Sequence, residues 1–505
     1  MTDAAQAIGE PRRLHPATLI ARWLKIVPQL IVGGVAIAAS AAERGLLGFL
    51  IFAGIGMIAA AAFALLFWWR FTYAIGAGEI VIEKGLLHRQ RRVIPFDRIQ
   101  DIAIEQRLLA RIFGTARVRI ETGGSASDEG NLDMISVADA HGLRDLIRRG
   151  AAPVVAPGGE EPVPADIESE DEPVLFEITL PRLLLSGLFN FSLIFIAAIA
   201  GFLGYLDQLG LVEWEDLVTP ERADQAADLV TAQTVLGVAL LVILLGVIAG
   251  IARTVARDFG FRLTRSRAGL RRRRGLFTLS EVVIPLRRTQ VAVIESGWIA
   301  RRFGWHKLSF QTLGADRKEG GLQVAAPFAR MEELLPILAE AGFPAPPPRE
   351  QFHGVPRRAL VARTAPYIMI GLVAAGAALL FEPLIAVAAG AMVLIALLVA
   401  FRWRKHAFLL GGGALFVSNG LFRRRIWVIP YAKTQAIFLA RGPIQRPLRL
   451  ASVLLDTAGG QLIGSPEIVD LDSDEAGRVA DSLLRRFGEA RAVIAMQRRR
   501  ATEVA

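Results

Sequence analysis

The sequence has no cysteine and only 6 histidines among its 505 residues. Without cysteine there can be no disulfide framework, no thiolate metal site and no cysteine nucleophile. The histidines form neither an HExxH motif nor a pair with metal-ligand spacing. They are His15, His88, His141, His306, His353 and His406. The sequence therefore predicts a protein that is not an enzyme and that binds no metal or other cofactor.

Nucleotide-binding signatures are missing as well. The triplet Gly411–Gly413 is not followed by the Lys-Ser/Thr pair of a P-loop. A loose GxGxxA pattern at Gly54–Ala59 lies inside an apolar run rather than after a strand, which favours close helix packing over dinucleotide binding. The basic residues follow the apolar runs along the chain and have no aromatic platform, so nucleic acid is not an expected partner.

Long apolar runs, in contrast, are abundant. Hydrophobic residues make up 53% of the chain and the mean hydropathy is +0.42, although 58 Lys+Arg against 48 Asp+Glu give a net charge of +10. Six runs have about the 20 residues that a helix needs to cross roughly 30 Å of hydrocarbon. They are Ile26–Ala42, Leu46–Trp68, Leu183–Leu206, Leu229–Ile251, Thr364–Phe381 and Pro383–Phe401. These runs predict six transmembrane helices arranged as three hairpins.

The distribution of basic residues predicts the orientation of these helices. Arg12, Arg13 and Lys25 precede the first run, and Arg402 and Arg404 follow the sixth. The second hairpin loop, residues 207–228, has seven acids and a single base. Because basic flanks stay on the cytoplasmic side, we expect a multi-pass protein of the bacterial inner membrane with both termini and all soluble modules in the cytoplasm.

One short motif occurs three times. VIPFDRIQ at Val93–Gln100 is repeated as VIPLRRTQ at Val283–Gln290 and VIPYAKTQ at Val428–Gln435, at intervals of 190 and 145 residues. The positions that repeat in phase include Gly85, Gly275 and Gly420; Pro95, Pro285 and Pro430; and Gln100, Gln290 and Gln435. Such long self-similarity indicates a triplicated module. The repetition favours a role in the fold over three identical catalytic sites.

The chemistry of the motif residues suggests what each contributes. Proline lacks an N–H group, so each motif proline is expected to end a strand at a sheet corner. Each glutamine is expected to hydrogen-bond the nearby backbone, and a place on a ligand rim is the alternative.

Each repeat has the pattern of a small α+β module of roughly 80 residues. Apolar and polar residues alternate around the proline, as in EIVIEKGLLHRQRRVIPF at Glu79–Phe96, which is typical of an antiparallel hairpin, and a helix-like segment ends each copy. The predicted boundaries are an N-terminal segment with hairpin 1 at 1–68, module 1 at 69–150, an acidic flexible linker at 151–175, hairpin 2 at 176–252, module 2 at 253–341, a Pro-rich linker at 342–362, hairpin 3 at 363–401, module 3 at 402–489 and a basic tail at 490–505.

The full motif resembles a known family. The pattern Gly-Leu-(Leu/Phe)…Ile-Pro…(Arg/Lys)…Gln, followed by Arg-x-(Phe/Leu) at Arg111, Arg301 and Arg446, resembles the bacterial PH-like domain family bPH2, formerly DUF304. Paired apolar runs before three copies are similar to the YdbT-type membrane proteins of that family. The resemblance implies a strongly bent antiparallel sheet, or split barrel, closed by a C-terminal helix. The expected fold class is thus six transmembrane helices combined with three PH-like modules.

The candidate binding residues are basic. The cluster Arg271, Arg272, Arg273 and Arg274 lies in a hairpin-like segment close to an apolar run, and Arg98, Arg288 and Lys433 occupy the motif itself. Contact with anionic lipid headgroups would contribute about 1 kcal/mol per base near the surface. Contact with a partner protein, or a role in solubility and topology alone, remain open as alternatives.

Two functions follow from these observations. The first is a non-enzymatic binding or scaffolding protein in the lipid bilayer, whose modules engage membrane or cytoplasmic proteins, one another, or anionic lipids. The second is a component of a transport or export system whose helices form a substrate path. The apolar runs contain few ionisable residues away from their ends, which disfavours the second function.

Overall fold

The computed structural model describes residues 11–21, 23–24, 29, 45–76, 78–85, 88–122, 130–150, 172–190, 232–312, 322–380, 385–457 and 466–503. The chain forms two compact units. The first contains Met1–Glu172, Glu177–Arg262 and Arg272–Val283, and the second contains Pro173–Phe176, Leu263–Arg271 and Ile284–Ala505.

The described helices are of two kinds, long apolar helices and short or amphipathic helices that accompany the sheets. In chain order they are α1 (Gly45–Arg70), α2 (Leu108–Ile112), α3 (Val137–Gly150), α4 (Leu180–Leu188), α5 (Ala232–Asp258), α6 (Trp298–Arg302), α7 (Met331–Glu340), α8 (Arg358–Leu380), α9 (Ile385–Trp403) and α10 (Ser473–Glu503).

The strands of the first repeat are β1 (Arg12–Arg13), β2 (Thr72–Ile75), β3 (Glu79–Lys84), β4 (Gln90–Pro95), β5 (Ile99–Arg107), β6 (Thr115–Thr122) and β7 (Gly130–Ser136). Those of the second are β8 (Val174–Glu177), β9 (Arg262–Ser266), β10 (Gly269–Arg274), β11 (Thr278–Ile284), β12 (Thr289–Gly297), β13 (Trp305–Thr312) and β14 (Leu322–Arg330). Those of the third are β15 (His353–Gly354), β16 (Ala407–Leu410), β17 (Ala414–Asn419), β18 (Arg423–Pro430), β19 (Thr434–Ala440), β20 (Leu450–Thr457) and β21 (Glu467–Asp472).

The first unit is built around an antiparallel sheet in the order β1-β2-β3-β4 and a further set of strands in the order β7-β6-β5-β11. The second unit contains a seven-stranded sheet, β14-β13-β12-β18-β17-β16-β15, and a three-stranded sheet, β19-β20-β21. The core of the first repeat draws apolar residues from both of its sheets and from α3, including Ile80, Ile94, Val118, Leu132 and Leu143. The strand alternation seen in the sequence is thus the alternation between this core and the outside.

The repeated glycine forms a tight turn between the two strands that precede the motif. Gly85, Gly275 and Gly420 have φ angles of +113°, +119° and +107°. A Cβ atom at these positions would lie 2.0, 1.9 and 1.9 Å from the carbonyl oxygen three residues later. No side chain fits so close to a backbone oxygen, which explains why all three repeats use glycine.

The motif proline ends the hairpin that this glycine starts. Pro95 and Pro430 are the last residues of β4 and β18, and Pro285 directly follows β11. A three-residue 3-10 turn comes next in each repeat and leads into the first strand of another sheet. In the second repeat the buried Gln290 donates a hydrogen bond from Nε2 to the carbonyl oxygen of Arg288, 3.0 Å away, so it fastens its own turn.

Neighbouring repeats are joined by strand pairing. At the first junction β5 pairs with β11, and at the second junction β12 pairs with β18, both antiparallel. Glu281 lies opposite Ile104 at the first junction, and Ile426 lies opposite Ile294 at the second. Residues 104 and 294 differ by 190 and residues 281 and 426 by 145, the two repeat intervals, so both junctions have the same register.

The prediction of six transmembrane helices in three hairpins is wrong. Among the described residues only two helical segments, Leu240–Asp258 and Arg358–Ala378, are long and apolar enough to cross a membrane. The apolar segments Gly54–Arg70 of α1 and Val387–Trp403 of α9 are shorter than these two segments. The rest of the fold is dominated by four antiparallel sheets. The first run and most of the third lie outside the described residues, so the described part of the chain does not provide six such helices.

Several predictions fall on segments outside the described residues. The first apolar run, Ile26–Ala42, belongs there apart from residue 29, as do the third run beyond residue 190 and the acidic loop 207–228. The acidic linker, predicted at 151–175, is described only from residue 172 onward.

Candidate membrane-interface site

The C-terminal end of α5 is tied to the second repeat through one buried carboxylate. Asp258 is the last residue of α5 and is almost fully buried. Its Oδ1 accepts a contact from Arg274 Nη1 at 3.1 Å, and its Oδ2 lies 2.7 Å from Arg257 Nη2. A buried carboxylate needs such partners, because an unpaired charge away from water is costly. Arg274 therefore holds β10 against the end of α5, and Arg257 of the same helix adds positive charge beside the buried carboxylate.

The tip of the β10–β11 hairpin is bonded to the same helix end. The backbone N–H of Leu276 donates to the carbonyl oxygen of Ala256 at 3.1 Å, and that of Gly275 donates to Phe259 at 2.8 Å. These bonds satisfy carbonyl groups that the end of a helix leaves open. The hairpin tip thus lies at the base of a helix that is long enough to cross a membrane.

Large apolar side chains surround this tip and are exposed. Phe277 is 54% exposed and Phe259 is 41% exposed. Helix α2 reaches the tip as well, because Arg111 Nη1 donates to the carbonyl oxygen of Leu276 at 3.1 Å, and this helix exposes Leu108 and Ile112. We call Phe259, Phe277, Leu108 and Ile112 the interface patch. Exposed phenylalanine and leucine beside basic residues are typical of elements that lie in a membrane–water interface.

The predicted cluster of four arginines splits between the two faces of β10. Arg272 and Arg274 are buried, whereas Arg273 is exposed and Arg271 is half-buried. This split is the two-residue alternation of a strand. Arg273 is consequently the member that can reach a headgroup, and Arg274 serves the ion pair with Asp258.

The other predicted basic residues are not brought to this patch by any described contact. Arg98 is exposed in the 3-10 turn after β4, and Arg288 is half-buried in the corresponding turn after β11. Lys433 donates from Nζ to the carbonyl oxygen of Arg287 at 3.0 Å, which links the motif turns of the second and third repeats. Burial lowers the pKa of Lys433 from its ordinary value.

Helix α8, which contains the second segment long enough to cross a membrane, is also joined to a sheet by ion pairs. Arg363 pairs with the buried Asp470 and Arg358 pairs with Asp472, so β21 is held by two arginines of the first turns of α8. His406 lies beside this cluster and accepts a hydrogen bond from the backbone N–H of Val469 at 3.4 Å. Burial and the nearby Arg363 and Arg402 lower the pKa of His406 to about 4, against the opposing effect of Asp470.

From the lowered pKa of His406 we predict that the protein loses stability in mild acid. Its folded pKa lies below the unfolded value of 6.5, so the stabilisation is fully present above pH 6.5 and is lost as the pH falls towards 4. A shift of this size corresponds to about 3 kcal/mol at the acid limit. We expect His406→Gln to reduce the difference between urea-unfolding free energies measured at pH 7 and pH 4.5 in detergent. The exposed His353→Gln serves as the control, and equal pH dependence in all three proteins would contradict the assignment.

The interface patch was missed from the sequence. Phe277 lies two residues after the motif glycine, and Leu108 and Ile112 belong to a helix of only five residues, too short for a periodic signal. Phe422 repeats at the position of Phe277 and is also exposed, so an aromatic residue after the turn glycine was the available signal. Across the described residues, no group of three or more His, Cys, Asp or Glu is placed to hold a metal ion.

Comparison with known proteins identifies the repeats. The family model of the bacterial PH domain, bPH_2, matches residues 23–151, 194–341 and 363–487, which together cover more than half of the chain. The UPF0699 transmembrane protein YdbT of Bacillus subtilis (strain 168) is 26% identical over 375 residues, or 70% of this chain and 73% of that protein. No solved structure matches the chain significantly.

Proposed function

Because the chain belongs to the bacterial PH domain family and its described residues include two helices able to cross a membrane, we propose that it is a membrane-associated scaffold. In this proposal it is a binding protein without catalytic activity. Its repeats line the cytoplasmic face of a bacterial cell membrane, where they contact anionic lipid headgroups and protein partners. The observation that carries the proposal is the hairpin tip bonded to the end of α5 with Phe277 exposed beside it.

The charges at the two long helices support the cytoplasmic side. Arg253 and Arg257 lie at the C-terminal end of α5, just before β9. Arg357, Arg358 and Arg363 lie at the N-terminal end of α8. Basic residues within 15–20 residues of a membrane segment remain on the cytoplasmic side. Both helices therefore present the ends that adjoin the sheets to the cytoplasm.

Lipid contact is supported by the composition of the interface patch. Its exposed phenylalanines provide apolar area, and Arg257, Arg273 and Arg111 supply positive charge around it. Apolar insertion and electrostatic attraction to anionic lipids act together at a membrane surface. Removing Arg273 should weaken the attraction by about 1 kcal/mol, or about fivefold in an equilibrium constant.

A polarity-sensitive label can test whether the patch touches lipid. Since the chain has no cysteine, Phe277→Cys gives a single attachment site for an NBD fluorophore. In nanodiscs we expect NBD at 277 to emit at shorter wavelength with phosphatidylglycerol than with phosphatidylcholine alone. Adding Arg273→Ala should raise the phosphatidylglycerol fraction needed for half of the shift by about fivefold.

Asp97→Cys provides the matched control site. Asp97 is exposed and lies before β5, whereas α2, which carries part of the patch, lies after β5. The nine residues of β5 span roughly 30 Å, and this length separates a label at position 97 from the patch. NBD at 97 should report water with either lipid. The lipid proposal fails if the labels at 277 and 97 respond alike.

A further inference from the structure

The two junctions show which strand edges of this chain fit each other. In each junction, the first strand after a motif turn (β5 or β12) pairs with the strand that ends at the next repeat's motif (β11 or β18). The register is the same in both. The chain thus uses one edge-to-edge interface twice.

In the first repeat, the strand that would form one side of this interface has no described partner strand. Strand β4 corresponds to β11 and β18, but it ends the sheet β1-β2-β3-β4 and has no described neighbour on its outer edge. Val283 and Val428 are 4% and 0% exposed in the paired strands, whereas the equivalent Val93 is 44% exposed. The same motif position is therefore open in one repeat and covered in two.

In the third repeat, the strand that would form the other side has no described partner strand. Strand β19 corresponds to β5 and β12, and it ends the sheet β19-β20-β21 in the described part of the chain. Phe438 is 55% exposed, whereas the equivalent residues Ala103 and Val293 are 1% and 0% exposed. Leu439 is exposed as well, although its counterparts Ile104 and Ile294 are buried.

The composition of β19 fits a covered strand. At the second junction Val291 and Val293 enter the core of the third repeat, together with Leu415 and Trp427. The counterparts in β19 are Ala436 and Phe438, which are again apolar. An apolar edge strand left open invites pairing with another chain, so an exposed phenylalanine here needs a partner.

We propose that β19 of one copy pairs with β4 of a second copy of this chain, antiparallel and in the junction register. The second copy is the fitting occupant because β4 and β19 are the two missing halves of an interface that the chain already forms twice. The register sets Val93 opposite Ile437 and Arg92 opposite Phe438, where a guanidinium can stack on the ring. Because the two surfaces differ, the contact is head-to-tail and builds a ring or an open row of copies.

Disulfide trapping tests this pairing in the full chain. One tagged chain carries Val93→Cys and a second, differently tagged chain carries Ile437→Cys, and the two are co-expressed in membranes. Each chain then has a single thiol, so pairing within one chain cannot give a cross-link. Oxidation should produce a band of twice the chain mass that carries both tags.

Three controls make the result decisive. Ala292→Cys with Val428→Cys in one chain should cross-link internally, because these residues lie opposite each other at the second junction. Pairing Val93→Cys with Phe438→Cys, one residue out of register and on the other face, should give about fivefold less product. Adding Phe438→Asp to the Ile437→Cys chain should abolish the mixed band, whereas the exposed Leu484→Asp of the same repeat should not.

The opposite outcomes would overturn the proposal. They are an internal control that forms without any mixed band, and a cross-link from Val93→Cys to a protein that lacks both tags. Thermal unfolding of each variant in detergent verifies that the chain remains folded, which is expected because Val93, Phe438 and Leu484 are exposed.

Discussion

Replacing Val293 by aspartate should unfold the second junction. Val293 is fully buried and lies opposite Trp427, inside the core of the third repeat. Aspartate there must either bury a charge or take up a proton, and we expect the free energy of unfolding to fall by at least about 4 kcal/mol. The melting temperature in detergent, followed by tryptophan fluorescence, should fall by roughly 10 °C or more.

The chain supplies its own matched control for this substitution. Phe438 occupies the same repeat position in β19 but is exposed, so Phe438→Asp should cost less than about 1 kcal/mol. The two variants introduce the same charge at equivalent strand positions. If Val293→Asp cost as little stability as Phe438→Asp, the junction would contribute little to the stability of the second unit.

The second large effect is expected at the turn glycine. Gly420→Ala places a Cβ atom 1.9 Å from the carbonyl oxygen of Arg423 at a φ of +107°, so the turn must open. We expect a loss of about 3 kcal/mol, since both the backbone conformation and the contact are unfavourable. Urea unfolding in detergent should show the lower midpoint with an unchanged slope.

Gly412→Ala serves as the control for Gly420→Ala. Gly412 lies in the preceding turn of the same repeat, and a Cβ atom there would meet nothing within 4 Å. This variant should be as stable as the parent or slightly more stable. Equal losses of stability at Gly412 and Gly420 would show that the cost at Gly420 does not come from contact with the Arg423 carbonyl oxygen.

The second junction depends on charge as well as on apolar packing. Glu295 of β12 is buried and its carboxylate lies 2.5 Å from Arg425 of β18 and 3.5 Å from Lys307. Burial acts to raise the pKa of Glu295, but Lys307, Arg425 and Arg423 outweigh it and hold that pKa below the ordinary value. A paired carboxylate of this kind stabilises the fold at neutral pH, and the stabilisation weakens as the pH falls through its folded pKa.

Local features of the fold could be anticipated from the sequence, and long-range ones could not. The in-phase glycines and prolines indicated a repeated hairpin, because only those residue types satisfy its tight turn and its end. The junctions carry no such mark. They join Ile104 to Glu281 and Ile294 to Ile426, and each strand edge is compatible with many partners until the whole chain is folded.

The candidate site divides in the same way. The four arginines stood out as a charge cluster, but only their place on a strand shows that Arg272 and Arg274 turn inward while Arg273 faces out. The hydrogen bond between Leu276 and Ala256 places Phe277 at the end of α5, and no spacing in the sequence indicates that contact. The number of membrane-crossing helices was misjudged, since only Leu240–Asp258 and Arg358–Ala378 among the described residues are long and apolar enough to cross a membrane.

The second junction also sets an order of events during synthesis. Glu295 and Arg425 are 130 residues apart, and α8 and α9 lie between β12 and β18. At about 10 residues per second, the ribosome needs on the order of ten seconds to deliver the partner strand after β12 has emerged. Meanwhile the apolar edge of β12 is open and α8 must be delivered to the membrane. A nascent chain stalled in this interval should therefore be the form most prone to aggregation and most dependent on chaperones.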